Sequence, residues 1–324
     1  MLPFAVHLQQ MNTGMTSDLR IVFMGTPDFA VASLDALVAA GYRIVGVVTA
    51  PDKPAGRGMK LTQSAVKKYA VDKNLPVLQP EKLKDPAFIE ALRNLNANLQ
   101  VVVAFRMLPE IVWNMPPMGT INVHGSLLPD YRGAAPINRA VINGEKETGV
   151  TTFKLKHEID TGDILLQDRM EIGEHETATE VHDRMKIIGA NLLVKTIRGL
   201  ESGTITEQPQ QQRTEPKHAP KLFTKDCEIN WNRPVTAIHN QVRGLSVFPG
   251  ALTKLDGKIL KIYRSLPEIH QHQDAPGTVV SDGKSFLKFA CADGYLLVND
   301  LQLEGKKRML TEDFLRGYRP GSLQ

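Results

Sequence analysis

Three polar side chains in this sequence stand where chemistry can be done. Asn122 and His124 are two residues apart at the end of the run Gly119–His124, GTINVH. If that run is a strand, residues two apart share a face, so the amide and the imidazole point the same way. An amide N–H can hold a developing oxyanion, and an imidazole moves protons near neutral pH. The third residue is Asp160, in the turn-forming segment Ile159–Asp163, IDTGD, ahead of Ile164–Met170. A carboxylate there can orient His124 and stabilise its charged form. The loop after His124, Gly125–Pro129 and then Arg132–Pro136, is rich in small residues and proline. Such a loop can offer backbone groups to a flat heterocycle. Spacing alone also allows a strand-end histidine above a turn that serves packing only. Ser126 invites a Ser/His/Asp hydrolase, but no G-x-S-x-G elbow surrounds it.

The elements that must position these residues alternate. Leu19–Met24 (LRIVFM), Arg43–Thr49 (RIVGVVT), Pro76–Leu78, Leu99–Ala104 (LQVVVA) and Gly119–His124 read as strands. Phe29–Ala40, Gln63–Lys73 and Pro86–Leu95 read as helices between them. Continuous apolar strands alternating with helices predict an α/β fold, a parallel Rossmann-like sheet covered on both faces. Ligands bind such sheets at the carboxyl ends of the strands. The first strand ends in Gly25-Thr26-Pro27-Asp28, not in G-x-G-x-x-G, which disfavours a nicotinamide dehydrogenase. Thr177–Leu200 reads as a long helix with Val181, Met185, Ile188 and Leu192 on one packing face.

Further along, the character changes. Gly203–Pro220 is polar, with three prolines and the run Gln210-Gln211-Gln212, and reads as a linker. Beyond it, short strand-like runs (Thr253–Leu255, Ile259–Tyr263, Thr278–Val280, Phe286–Ala290 and Tyr295–Leu301) are separated by Asp-Gly turn signals. They predict a small, OB-like β-barrel with one helix at Pro234–Val242. The expected organisation is therefore an unstructured extension at 1–18, a catalytic domain at 19–203, a linker at 204–221 and a β-barrel domain at 222–324.

Composition narrows the class. The chain has 324 residues, 42% hydrophobic and 23% charged, as expected for a globular protein. No stretch approaches the roughly 20 apolar residues of a membrane helix. Net charge is +4, and the last third, Leu222–Gln324, carries 14 basic against 11 acidic residues. The two cysteines, Cys227 and Cys291, make neither a disulfide framework nor a zinc site, which points to a reducing compartment. Between Pro51 and Lys68, Lys53, Arg57, Lys60, Lys67 and Lys68 face one acid, Asp52, and Gly56 and Gly58 flank Arg57. Composition alone suits a solvated loop as well as one that grips a phosphate backbone.

Five segments carry a resemblance: GTPDFA (25–30), PDKPAGRGMKL (51–61), INVHGSLLPDYRGAAPI (121–137), ETGVTTFKL (147–155) and EIDTGDIL (158–165). They resemble the folate-dependent formyltransferases, and the PAGRG loop narrows the likeness to the methionyl-tRNA formyltransferases. The resemblance implies that Asn122, His124 and Asp160 are the catalytic set. It implies a folate pocket formed by Ser126, Leu127, Leu128 and Pro129 together with Phe105, Arg106, Met107 and Leu108. It implies that Lys53, Arg57 and Lys60 meet tRNA, and that the β-barrel helps hold it. The co-substrate implied is 10-formyltetrahydrofolate, with initiator methionyl-tRNA as the acceptor and no metal. A cytoplasmic monomer away from membranes is expected. The nearest rival is a formyltransferase acting on a nucleotide-sugar amine, which would not need the basic loop. Asp130 and Arg139 depart from the family pattern outside the three catalytic positions.

Overall fold

The structure, a computed structural model, describes residues 18–55, 60–211 and 213–321. The expected extension at 1–18 therefore lies outside the described residues except for Asp18. The first unit runs β1 (Arg20–Gly25), α1 (Asp28–Ala39), β2 (Arg43–Val48), β3 (Lys53–Ala55), β4 (Lys60–Thr62), α2 (Ala65–Asp72), β5 (Val77–Leu78) and α3 (Pro86–Asn94). It continues through β6 (Leu99–Val103), α4 (Glu110–Trp113), β7 (Thr120–His124), α5 (Pro136–Ile142), β8 (Glu147–Lys154), β9 (Ile164–Glu171) and α6 (Ala178–Glu201). Local chemistry starts the helices. Ser64 accepts the Lys67 N–H to cap α2, and Asp85 accepts the Ala87 N–H to cap α3. Thr177 and Glu180 form a reciprocal capping box on α6.

Seven strands form the main sheet in the order β5-β2-β1-β6-β7-β8-β9. Every residue of β6 is buried, including Gln100, whose amide oxygen accepts from the Thr120 hydroxyl at 3.1 Å. From β5 to β7 the neighbours are parallel, as the pattern predicts. The last two strands depart from that prediction: β8 runs antiparallel to β7, and β9 antiparallel to β8. Between β7 and β8 the chain makes only the short α5, which returns it to the same edge without crossing the sheet. One consequence is that Thr151 of β8 lies directly opposite His124 of β7. Helix α6 packs along α1 and turns Val181, Met185 and Leu192 into the core, with Ile188 partly buried.

The second unit comprises α7 (Thr224–Cys227), α8 (Val235–Leu245), β10 (Ala251–Leu255), β11 (Lys258–Ile269), β12 (Val279–Ser281), β13 (Leu287–Ala290), β14 (Gly294–Leu303), β15 (Met309–Leu310) and α9 (Thr311–Arg316). Its strands form an antiparallel half-barrel in the order β10-β11-β14-β13-β12, with β15 on β14. Helix α8 packs against β11, and Ile238, Val242, Phe289, Leu296 and Leu301 share the core beneath it. Strand β11 extends past Tyr263, where the sequence pattern ends. Register shifts around Arg264 break the alternation that marks a strand while the ladder continues. Cys227 and Cys291 are both buried free thiols, and burial pushes the Cys291 pKa up to about 12. Among the described residues no helix is long and apolar enough to cross a membrane.

The stretch between the units is tied down along its length. Gln208 exchanges backbone hydrogen bonds with Ile164, Lys217 O accepts the Tyr131 N–H, and Ala219 N–H donates to Arg132 O. The 204–221 segment is thus tied to the start of β9 and to the loop after β7.

Candidate active site

Strands β1, β6 and β7 end at one edge of the sheet, and the chain reverses its order between β1 and β6. An open α/β sheet has its crevice at such a switch point. A cavity of about 610 Å³ opens there. Phe105, Arg106, Met107 and Leu108 line one side, just beyond β6. Asn122 and His124 reach it from β7, and Lys156 to Asp160 from the loop between β8 and β9. The Gly133–Pro136 loop and the start of α5 close another side. The lining therefore combines apolar side chains with polar and charged ones, a form suited to a flat heterocycle carrying a reactive polar group.

His124 is 6% exposed. Its Nε2 lies 2.8 Å from the carbonyl of Tyr131. A carbonyl only accepts, so Nε2 carries a proton, and Nδ1 is the nitrogen left to gain or lose one. Nδ1 lies 3.7 Å from Oδ2 of Asp160. That oxygen also accepts the Gly133 N–H at 2.9 Å. Asn122 makes no side-chain hydrogen bond to a described residue, and it faces the cavity, which leaves its amide free for a ligand. The three residues singled out by type and spacing thus meet around one cavity.

Tyr131 is a support that the sequence does not reveal. Its backbone is left-handed, φ 61°, which aims its carbonyl at the imidazole. Its hydroxyl donates to Glu145 at 2.6 Å and accepts from Asn143 at 3.1 Å. Burial, with the Glu145 carboxylate beside it, pushes the hydroxyl pKa up and keeps it a donor.

The other expected residues divide. Phe105, Arg106, Met107 and Leu108 line the cavity, whereas Ser126, Leu127, Leu128 and Pro129 do not. The Ser126 hydroxyl donates to the Asp130 carbonyl at 2.7 Å. Thr151 Oγ1 takes the Leu128 N–H at 3.1 Å and donates to the Ser126 carbonyl at 2.7 Å. Gln167 donates to the Leu128 carbonyl at 2.9 Å. Side chains of β8 and β9 thus hold this turn outside the cavity lining. Arg57 lies outside the described residues. Lys53 is exposed on β3, and Lys60 opens β4, the partner strand of that hairpin. Asp130 and Arg139 have local partners: Asp130 pairs with Arg213, and Arg139 lies 3.4 Å from Asp226.

Asn138, His157 and His182 also line the cavity, and no local motif announces them. His182 belongs to a group with Asp28 and Asp183 whose ligand atoms are close enough for a metal ion. The Lys186 ammonium stands 3.3 Å from Asp28 and 2.9 Å from Asp183, where it supplies the positive charge.

Comparison with known proteins gives the family. Residues 19–197 match the formyl transferase family model, and residues 221–319 match the formyl transferase C-terminal domain. A methionyl-tRNA formyltransferase of Bacteroides fragilis is 53% identical over 311 residues, covering 93% of this chain and 95% of that one. The enzyme of that name from Parabacteroides distasonis is 55% identical over 312 residues, covering 93% and 96%. This chain belongs to the methionyl-tRNA formyltransferase family. More distant folds are shared with solved structures. An N-formyltransferase from Helicobacter canadensis, in complex with folinic acid and dTDP-3-aminofucose, superposes with a TM-score of 0.64 at 19% identity, covering 90% of this chain and all (100%) of that one. HypX from Aquifex aeolicus, in complex with tetrahydrofolic acid, has a TM-score of 0.64 at 17% identity, covering 92% and 47%.

Proposed function

We infer that the chain transfers the formyl group of 10-formyltetrahydrofolate to the α-amino group of methionine carried by initiator tRNA, ahead of translation initiation. The observation that carries this reading is identity above one half to methionyl-tRNA formyltransferases along 93% of the chain. The geometry supplies a route. Phe105, Met107 and Leu108 offer the apolar side chains against which a pterin ring packs, with Arg106 among them. Asn122 donates its free amide N–H to the oxygen of the formyl carbonyl as the amine attacks and negative charge develops there. His124, its Nε2 tied to Tyr131, presents Nδ1 as the group that exchanges a proton with the reacting atoms. Asp160 faces that nitrogen, stabilises the imidazolium and helps remove the proton lost by the amine; the intermediate then collapses, the bond from the formyl carbon to N10 breaks, and N10 takes up a proton as tetrahydrofolate leaves. No step uses a metal ion.

The basic segment Lys53–Lys60, which includes Arg57, and the half-barrel hold the tRNA. The protein works as a monomer in the cytoplasm, where charged initiator tRNA and reduced folates are found. Light scattering of the purified protein checks the monomer. The deciding experiment offers a labelled formyl donor with methionyl initiator tRNA, with a nucleotide-sugar amine, and with neither. Label should enter only the tRNA ester. Transfer to the sugar amine at a comparable rate would overturn the reading.

A further inference from the structure

Asp160 does not hold its position unaided. Its own backbone is left-handed, φ 54°, a region that non-glycine residues enter only when their surroundings impose it. Two residues on, a Cβ at Gly162 would lie 1.6 Å from the Lys154 carbonyl, so the turn is pressed flat against the end of β8. From the other side the turn is held by a residue 50 positions away, in the segment between the two units. Gln210 Nε2 donates to the carbonyls of Asp160 and Gly162, each at 2.8 Å.

The same amide reaches the opposite loop. Gln210 Oε1 accepts from Arg132 Nε at 3.1 Å and from Arg132 Nη2 at 2.5 Å. Arg132 precedes Gly133, whose N–H is the one Asp160 Oδ2 accepts. One side chain therefore ties the loop that carries the carboxylate to the loop that supplies its hydrogen bond. Both amide protons and the amide oxygen of Gln210 are engaged. Gln210 itself is not in the cavity wall, so it has no path to the reacting atoms except through these loops.

We propose that Gln210 is a positioning residue of this active site, setting the carboxylate of Asp160 against Nδ1 of His124. The proposal rests on the reading above that His124 and Asp160 carry the transfer. A displacement of about 1 Å at a reacting group costs on the order of a hundredfold in rate. Loss of the Gln210 bridge should therefore appear in turnover and not in substrate affinity.

The test measures steady-state formylation of methionyl-tRNA by full-length Q210M and Q210A. Q210M keeps most of the side-chain volume and loses only the hydrogen bonds, so it remains informative if Q210A folds poorly. Both should lose about 10- to 100-fold in kcat, with KM for each substrate within about threefold of wild type. Q208A is the control: the Gln208 side chain is exposed and only its backbone pairs with Ile164, so its rates should match wild type. The deciding measurement is Q210M in the D160N background. If Gln210 acts through Asp160, it costs little more there, whereas a general structural role gives additive losses. Wild-type turnover in Q210M, or additivity with D160N, would overturn the proposal. Full activity of D160N alone would instead remove the catalytic reading on which the proposal rests.

Discussion

His175, just after β9, and His239, on α8, meet across the junction of the two units, Nδ1 of the first 3.1 Å from Nε2 of the second. His239 is 4% exposed, and its other nitrogen lies 3.1 Å from the Ser265 hydroxyl. Burial, the Arg243 guanidinium and His175 together lower its pKa to about 4. Arg243 is itself buried and donates to the carbonyls of Gly173 and Glu176, so the junction already holds one cation.

This pair predicts an acid-sensitive fold. His239 is neutral when folded and has an ordinary pKa of 6.5 when unfolded. Above that value both states are neutral and pH has no effect through this group. As pH falls from 6.5 towards 4, the unfolded chain takes up a proton that the folded one refuses, so stability falls, and it levels off below about 4. The full difference is on the order of 3 kcal/mol. Urea unfolding of wild type and His239→Asn at pH 7 and pH 5 checks it. The variant, though less stable overall, should show a flatter acid slope, and an unchanged slope would rule His239 out as its source.

His124→Ala and Asp160→Asn should each lower formyl transfer by roughly two to four powers of ten, the scale of losing an acid/base or oxyanion group. Asn122→Ala should fall in the same range. Folate binding, measured by titration, should stay within a few-fold in all three, because the lining at Phe105 to Leu108 is untouched. Near-normal turnover in the His124 variant would remove the imidazole from the mechanism.

Two glycines test how tightly the site loops are packed. A Cβ at Gly133, whose φ is 122°, would meet the Ala219 carbonyl at 2.5 Å, and one at Gly162 would meet the Lys154 carbonyl at 1.6 Å. Both obstacles are backbone, so Gly133→Ala and Gly162→Ala should destabilise by about 1–3 kcal/mol and also reduce turnover. Gly203→Ala is the contrast: φ is 66° but the space is open. It should cost only the left-handed strain, about 1–2 kcal/mol, with kcat unchanged. Thermal melts and steady-state rates on the three variants make the comparison.

Arg57 separates the tRNA reading from the sugar reading. It lies between Gly56 and Gly58 in the basic loop. A guanidinium gripping phosphate or a base edge in two-point fashion contributes about 1–3 kcal/mol, a factor of roughly 5 to 150. Arg57→Leu should lose that factor in kcat/KM for charged initiator tRNA and flatten its dependence on salt, with folate binding unchanged. Wild-type kinetics in this variant would return the nucleotide-sugar amine to contention.

Much of the site was legible because its determinants are local. The β-branched valines of Leu99–Ala104 marked a strand, and strand periodicity alone put Asn122 and His124 on one face. The short motifs around His124 and Asp160 carried the family resemblance, since they are contiguous strings. Helix starts such as Thr177 with Glu180 are likewise written within four residues. What tertiary structure decided are contacts between residues far apart in sequence. Asp160 reaches His124 only because β8 turns back antiparallel beside β7, a direction that strand patterns do not encode. Ser126 to Pro129, expected in the pocket, lie outside its lining, where Thr151 and Gln167 hold that turn from neighbouring strands. The polar stretch read as a linker braces the site through Gln210 and Lys217. Composition marks such a segment as polar and proline-rich, but hydrogen bonds made 50 or more residues away depend on where the folded loops bring their carbonyls.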